Sequence, residues 1–198
     1  MTSLAELPFA LDWLVPAAEW SYADGTLTID AGPNTDWFVD PAGDAEPVST
    51  APALVGNPEG AFVLSARVTV DFAATFDAGV LALHANDRRW AKLCFEYSPQ
   101  AEPMVVSVVT RGVSDDCNSF VVDGPAVWLR VSRLDRSLAF HASTDGFEWR
   151  LVRHFALEPV EALGVGFCAQ SPQGNGCRAV FDEIRFASRR LPDLRSGH

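Results

Sequence analysis

From Arg88 to Tyr97 the chain reads RRWAKLCFEY, and alternation along a pleated strand divides this stretch into two faces. Trp90, Lys92, Cys94 and Glu96 point one way, while Ala91, Leu93, Phe95 and Tyr97 point the other. One face is apolar; the opposite face carries an aromatic ring, a cation and a carboxyl group. A charge buried in mid-strand without a partner is costly, so Lys92 and Glu96 must either meet water or neutralise one another. Their face is therefore a candidate cleft.

The same phasing applied to later segments gathers more polar groups. Trp128 and Arg130 share one face of VWLRVSR, His141 and Ser143 share a face of the following segment, and Gly164, Gly166, Cys168 and Gln170 share another. Glycines on a strand face leave room for something to approach the backbone. If all these faces belong to one sheet, a single groove holds Trp90, Lys92, Glu96, Trp128, Arg130, His141 and Gln170. Such a mixture suits sugars, because aromatic rings cover their apolar faces while amide, carboxyl and guanidinium groups bond their hydroxyls. The plainer alternative is a sealed network in which Glu96 pairs with Lys92 or Arg130 and both tryptophans are core.

Glu96 is also the candidate catalytic acid or base. Glycoside hydrolysis needs a second carboxyl group, roughly 5–5.5 Å away for retention or roughly 6.5–9.5 Å for inversion. Asp77 or Asp116 would have to supply it. Ser143, His141 and Asp145 have the composition of a nucleophilic triad but no nucleophile elbow. The stretch RGVSDDCNS reads as a loop at the groove rim, with Arg111, Asp115, Asp116 and Asn118 ordering it through local bonds. Its oxygens are spaced unlike an EF-hand, and neither a metal nor a cofactor is expected. Ser143 to Trp149, STDGFEW, reads as a tight turn stabilised by Ser143 and Asp145, a structural device.

The elements that position these residues are strands. EWSYADGTLTID places Asp24-Gly25 between alternating segments, a strong hairpin signal. FVLSARVTVDF alternates cleanly, and further strands are expected over 78–84, 90–97, 104–111, 127–133, 138–143, 149–155, 163–170 and 179–186. The Pro- and Gly-rich stretch 43–60 reads as an irregular connection. Short, closely spaced strands without intervening helices predict an all-β protein of two packed antiparallel sheets. With 198 residues and 48% hydrophobic content, one domain is expected, with 1–18 as an N-terminal extension and 188–198 as an exposed tail.

A formal net charge of −11 disfavours nucleic acid and anionic membrane surfaces as partners. The opening residues carry Glu6 and Asp12 among their apolar positions and lack a basic lead, unlike a secretory signal, so a cytoplasmic location is expected. Cys94, Cys117, Cys168 and Cys177 lack zinc-site spacing; a bridge between Cys168 and Cys177 across SPQGNG is geometrically open.

TDWFVDP, FDAGVLALHANDRRWAKLCFEYSP, VSVVTRGVSDDCNS, VWLRVSR, FHASTDGFEW and GFCAQSPQGNGC occur in an order that resembles the DUF1349 family, within the concanavalin A-like lectin/glucanase superfamily. The resemblance runs from about Asn34 onward. It implies a concanavalin A-like jelly-roll sandwich with a groove on the concave sheet. The superfamily's glucanase branch brings two acids from one strand in an E-x-D-x-x-E pattern, which this chain lacks. The expected function is therefore non-catalytic binding of a carbohydrate or sugar derivative. The alternatives are a glycoside hydrolase or lyase using Glu96, or a protein-interaction or regulatory module with a broad apolar patch.

Overall fold

The computed structural model describes residues 1–157 and 162–197, and among these there are sixteen strands and no helix. The first six are β1 (Asp12–Val15), β2 (Glu19–Ala23), β3 (Thr26–Ala31), β4 (Trp37–Phe38), β5 (Val48–Ser49) and β6 (Ala53–Gly56). Then come β7 (Phe62–Val70), β8 (Ala78–Asn86), β9 (Arg89–Tyr97), β10 (Pro103–Arg111) and β11 (Ser114–Val121). The last five are β12 (Ala126–Arg133), β13 (Leu138–Ser143), β14 (Arg150–Phe155), β15 (Gly164–Gln170) and β16 (Cys177–Ala187).

They form two seven-stranded antiparallel sheets packed as a sandwich of the concanavalin A-like jelly-roll type. The first runs β1-β6-β15-β8-β9-β10-β11 and the second β14-β13-β12-β7-β16-β3-β2. Between them lies one core, to which Leu81, Leu93, Phe95 and Phe167 come from the first sheet and Leu64, Val68, Leu129, Phe140 and Phe181 from the second. The alternation read from RRWAKLCFEY holds: Ala91, Leu93 and Phe95 enter this core, while Trp90 and Cys94 belong to a separate apolar cluster on the outer face. The Asp24-Gly25 turn forms as expected, both residues taking positive φ (50° and 75°), the geometry a two-residue hairpin demands.

Three expectations need correction. The stretch 43–60 is not wholly irregular: β6 is fully buried and pairs with β1 and β15, its ALVG being too short to show a period. The stretch around Asp115 is not a loop but β11, registered against β10 with Val108 opposite Asp116. Its polar residues have low strand propensity, yet an edge strand needs only one paired side and tolerates exposure on both faces. The C-terminal stretch docks onto the second sheet through buried Leu191 and Gly197 rather than hanging free; His198 lies outside the described residues. Likewise the N-terminal stretch buries Leu4, Leu7 and Leu11 in the main core.

All four thiols are free, and Cys177 donates to the Gln170 carbonyl at 3.1 Å. Gly166 is explained by the fold itself, since the Leu54 carbonyl of β6 occupies the space of a Cβ. No described helix is long and apolar enough to cross a membrane.

Candidate functional site

The outer face of the first sheet is crossed by the segment that carries β4. Thr35 pairs with Ser171 beyond β15, and Val39 exchanges hydrogen bonds with Ser114 of β11, so the segment crosses the sheet from β15 to the β11 edge. Along it, Asp36 and Phe38 face one hollow. Trp37 fills the space between, its ring edge-on to Trp90 at 5.7 Å and to His84 at 5.5 Å. Its indole N–H donates to the Ala51 carbonyl at 3.0 Å. Trp90 is thereby only 2% exposed and cannot stack on a ligand, which corrects the role expected of it.

The hollow has a volume of about 160 Å³. Its walls are Asp36 and Phe38 from the crossing segment, Phe76 from the turn before β8, Lys92 and Glu96 from β9, Val108 from β10, Asp116 from β11 and Gln170 from β15. The Lys92 ammonium, 2% exposed, donates to Asp36 Oδ1 at 3.0 Å and to Gln170 Oε1 at 2.8 Å. Gln170 in turn donates to the Phe76 carbonyl at 3.2 Å, which fixes its amide. Burial works against the Lys92 charge, but the acidic groups around it, Asp36 first, outweigh burial and hold its pKa above the ordinary value.

Glu96 is a different case. Lys92 turns to Asp36, and among the described residues Glu96 makes no hydrogen bond or ion pair. Burial raises its pKa to about 8 against the opposing pull of Lys92, with Asp116 and Asp36 adding to the rise. At neutral pH Glu96 is mainly a carboxylic acid, able to donate one hydrogen bond and accept others. Asp116 is also raised, again by burial first. Asp77, the other acid considered beside Glu96, is committed elsewhere: it accepts from the amides of Ala73 and Ala74 and from Ser171 Oγ. Among the described residues, no three His, Cys, Asp or Glu side chains are close enough together to hold a metal ion.

The expected groove of seven residues is divided between the two sheets. Lys92, Glu96 and Gln170 meet in the hollow. Trp128, Arg130 and His141 lie on the outer face of the second sheet, because β12 and β13 pair with β7 and β14 and meet the first sheet only through their core-facing side. Their strand phase was read correctly; alternation says which residues share a face but not which sheet a strand joins. There Trp128 Nε1 donates to Glu183 at 3.3 Å. Arg130 lies over the Trp149 ring at 4.1 Å and donates to the Gly197 carbonyl at 2.7 Å. Ser143 is bonded to Asp145 within the turn, so no triad forms with His141. Of the residues expected at the rim, only Asp116 lines the hollow. Asp115 is paired more closely with Arg153 of the other sheet (2.7 Å) than with Arg111 (3.9 Å), and Asn118 is exposed.

Asp36, Phe38 and Phe76 complete the site. Asp36 lies in TDWFVDP, on a short segment before a proline, and the two phenylalanines carry no sequence signal beyond their type, since the crossing segment and the turn before β8 bring them in. His141 Nε2 lies 2.7 Å from the Leu194 carbonyl, to which it donates as neutral imidazole. Burial lowers its pKa to about 4. A group whose folded pKa lies below its unfolded value of 6.5 stabilises above that value and loses the contribution as pH falls toward 4. Acidification should therefore loosen the docked C-terminal stretch: limited proteolysis within 188–197 is expected to be faster at pH 4.5 than at pH 7, and His141→Phe should abolish the difference.

The sheet order and the shared core define an antiparallel jelly-roll sandwich. Residues 13–189 match the family described as "Protein of unknown function (DUF1349)", and the chain belongs to it. Its structure is similar to that of a functionally unknown protein from Saccharomyces cerevisiae, with TM-score 0.85 and 23% identity over 96% of this chain and 100% of that one. It is also similar to a mutant of the GH43 protein BlXynB from Bacillus licheniformis (TM-score 0.72, 13% identity), covering 90% of this chain but 37% of that one. The alginate lyase from Klebsiella pneumoniae matches at TM-score 0.56 and 11% identity, over 85% of this chain and 83% of that one. At these identities the likeness concerns the fold. No curated protein matches the sequence.

Proposed function

We propose that the protein binds an uncharged sugar or sugar derivative, about one sugar unit in size, in the hollow beside β9, without transforming it. The observation that carries this reading is Glu96: a buried carboxylic acid with no hydrogen bond or ion pair among the described residues, facing a hollow with two phenylalanines. A buried polar group left unbonded is costly, and a hydroxyl-rich ligand supplies the missing partners. Lys92 and Asp36 neutralise one another, so the hollow offers fixed hydrogen-bonding groups with little net charge except Asp116. The small volume and the crossing segment leave no room for a long chain. Structural likeness to carbohydrate-processing proteins supports the ligand class.

Titration calorimetry with a panel of neutral mono- and disaccharides tests the reading. Saturable one-to-one binding that is lost in Gln170→Ala is expected; no binding across the panel would sink it. A second reading is a glycoside hydrolase or lyase in which Glu96 gives the proton and Asp116 is the second carboxyl. The raised pKa of both acids in one hollow favours it. Release of reducing sugar, or of an unsaturated product absorbing in the ultraviolet, separates the two readings.

A further inference from the structure

The outer face of the second sheet holds a second hollow, of about 260 Å³, on the opposite side of the sandwich from Glu96. Three arginines line it: Arg130 from β12, Arg185 from β16 and Arg189 from the chain just beyond β16. In a protein of formal net charge −11, such convergence runs against the overall balance. Arg130 is only 6% exposed, and among the described residues neither it nor Arg189 has a carboxylate within ion-pair distance. Arg185 has only a loose contact with Glu183, at 3.6 Å.

Like charges held together in a partly dry hollow repel, and the fold maintains the arrangement. The Trp149 ring stacks at 4.1 Å on the Arg130 guanidinium, and the Gly197 carbonyl takes one of its donors at 2.7 Å, while Arg130 Nε remains buried without a partner. Trp149 and the Gly197 contact thus set the plane of the guanidinium in advance. The cost of this is visible in Arg130 itself, whose pKa is lowered to about 10 by burial first and by Arg189 second. Beside the arginines the hollow presents Ser65, a further hydroxyl donor, and the apolar side of Phe186.

We propose that this hollow binds the dianionic phosphate group of a small molecule. Two guanidinium charges without counter-charge match a dianion in number, and guanidinium forks match phosphate oxygens in geometry. The ligand is either free inorganic phosphate or a phosphate monoester. The site is independent of the sugar hollow and stands whether or not that reading holds.

The test uses the full chain at low ionic strength, titrated separately with inorganic phosphate and with glucose 1-phosphate by calorimetry. Saturable one-to-one binding is expected, weakened about tenfold or more in Arg189→Gln and in Arg185→Gln, and unchanged in the first-sheet control Arg111→Gln. Because Arg130 also anchors the C-terminal stretch, the two exposed arginines carry the test, with circular dichroism to verify folding. Tighter binding of the monoester assigns the site to a phosphorylated small molecule; equal binding assigns it to phosphate itself. Absence of saturable binding of either probe, or equal affinity in wild type and Arg189→Gln, would overturn the proposal.

Discussion

Asp36→Ala is expected to cost about 3–5 kcal/mol of stability, the usual penalty for removing one partner of a buried ion pair, and to lower the melting temperature by on the order of 10 °C. Lys92 is 2% exposed, and among the described residues the acceptors of its ammonium are Asp36 Oδ1 and Gln170 Oε1. Without Asp36 it keeps one neutral acceptor inside a dry face, a far poorer exchange for water than a carboxylate. The amide of Gln170 is oriented by the Phe76 carbonyl and cannot turn to compensate. The double variant Asp36→Leu/Lys92→Met removes both charges and should recover most of the loss, because an apolar pair does not have to be desolvated. If Asp36→Ala melts within a degree or two of wild type, Lys92 is not held as described. Recovery in the double variant distinguishes lost charge compensation from lost packing.

Glu96→Gln should have the opposite sign. The folded pKa of Glu96, about 8, lies above its unfolded value of 4.5, so the group's contribution is fully present below pH 4.5 and is lost as pH rises toward 8. On that account the wild type loses about 2–5 kcal/mol across this window through Glu96 alone. Glutamine has the same shape, keeps a donor and an acceptor, and never ionises. The variant should therefore be the more stable protein at pH 8.5 and nearly equal to wild type at pH 4.5, as read by urea unfolding at the two values. His141 works in the other direction between pH 6.5 and 4, but it is common to both proteins and cancels in their comparison. Parallel wild-type and variant profiles would show that Glu96 is not held protonated.

The same substitution bears on function. If Glu96 serves as a hydrogen-bonding acid for a sugar, wild-type affinity should fall as pH passes 8, while Glu96→Gln binds with little dependence on pH. If Glu96 transfers a proton to a leaving group, glutamine should leave binding intact and abolish turnover, because an amide cannot give up that proton.

What could be read from the chain follows from what is local. RRWAKLCFEY has two unlike faces because successive side chains in a strand point opposite ways, and the structure keeps both the phase and the division into core and outer face. Asp24-Gly25 specifies its hairpin because both residues tolerate positive φ. The strands over 62–70, 126–133 and 138–143 likewise declare themselves through spacing alone. The family motifs added the sandwich type. Strands without enough residues to show a period, such as β6, or with mostly polar ones, such as β11, stayed hidden, because pairing with neighbours supplies what propensity lacks.

The site was legible only in part, for a reason of the same kind. Sequence determined that Lys92 and Glu96 share a face, and that Trp128 and Arg130 do, since each pair sits two or four residues apart on one strand. Only the tertiary structure decided that these faces lie on opposite sides of the molecule, because the sheet a strand joins is set by long-range pairing and not by its own alternation. It also decided that Asp36, brought 56 positions along the chain, takes Lys92 and leaves Glu96 without an ion-pair partner. Which carboxyl a buried cation meets depends on where the chain crosses back over the sheet, and that is a property of the folded whole.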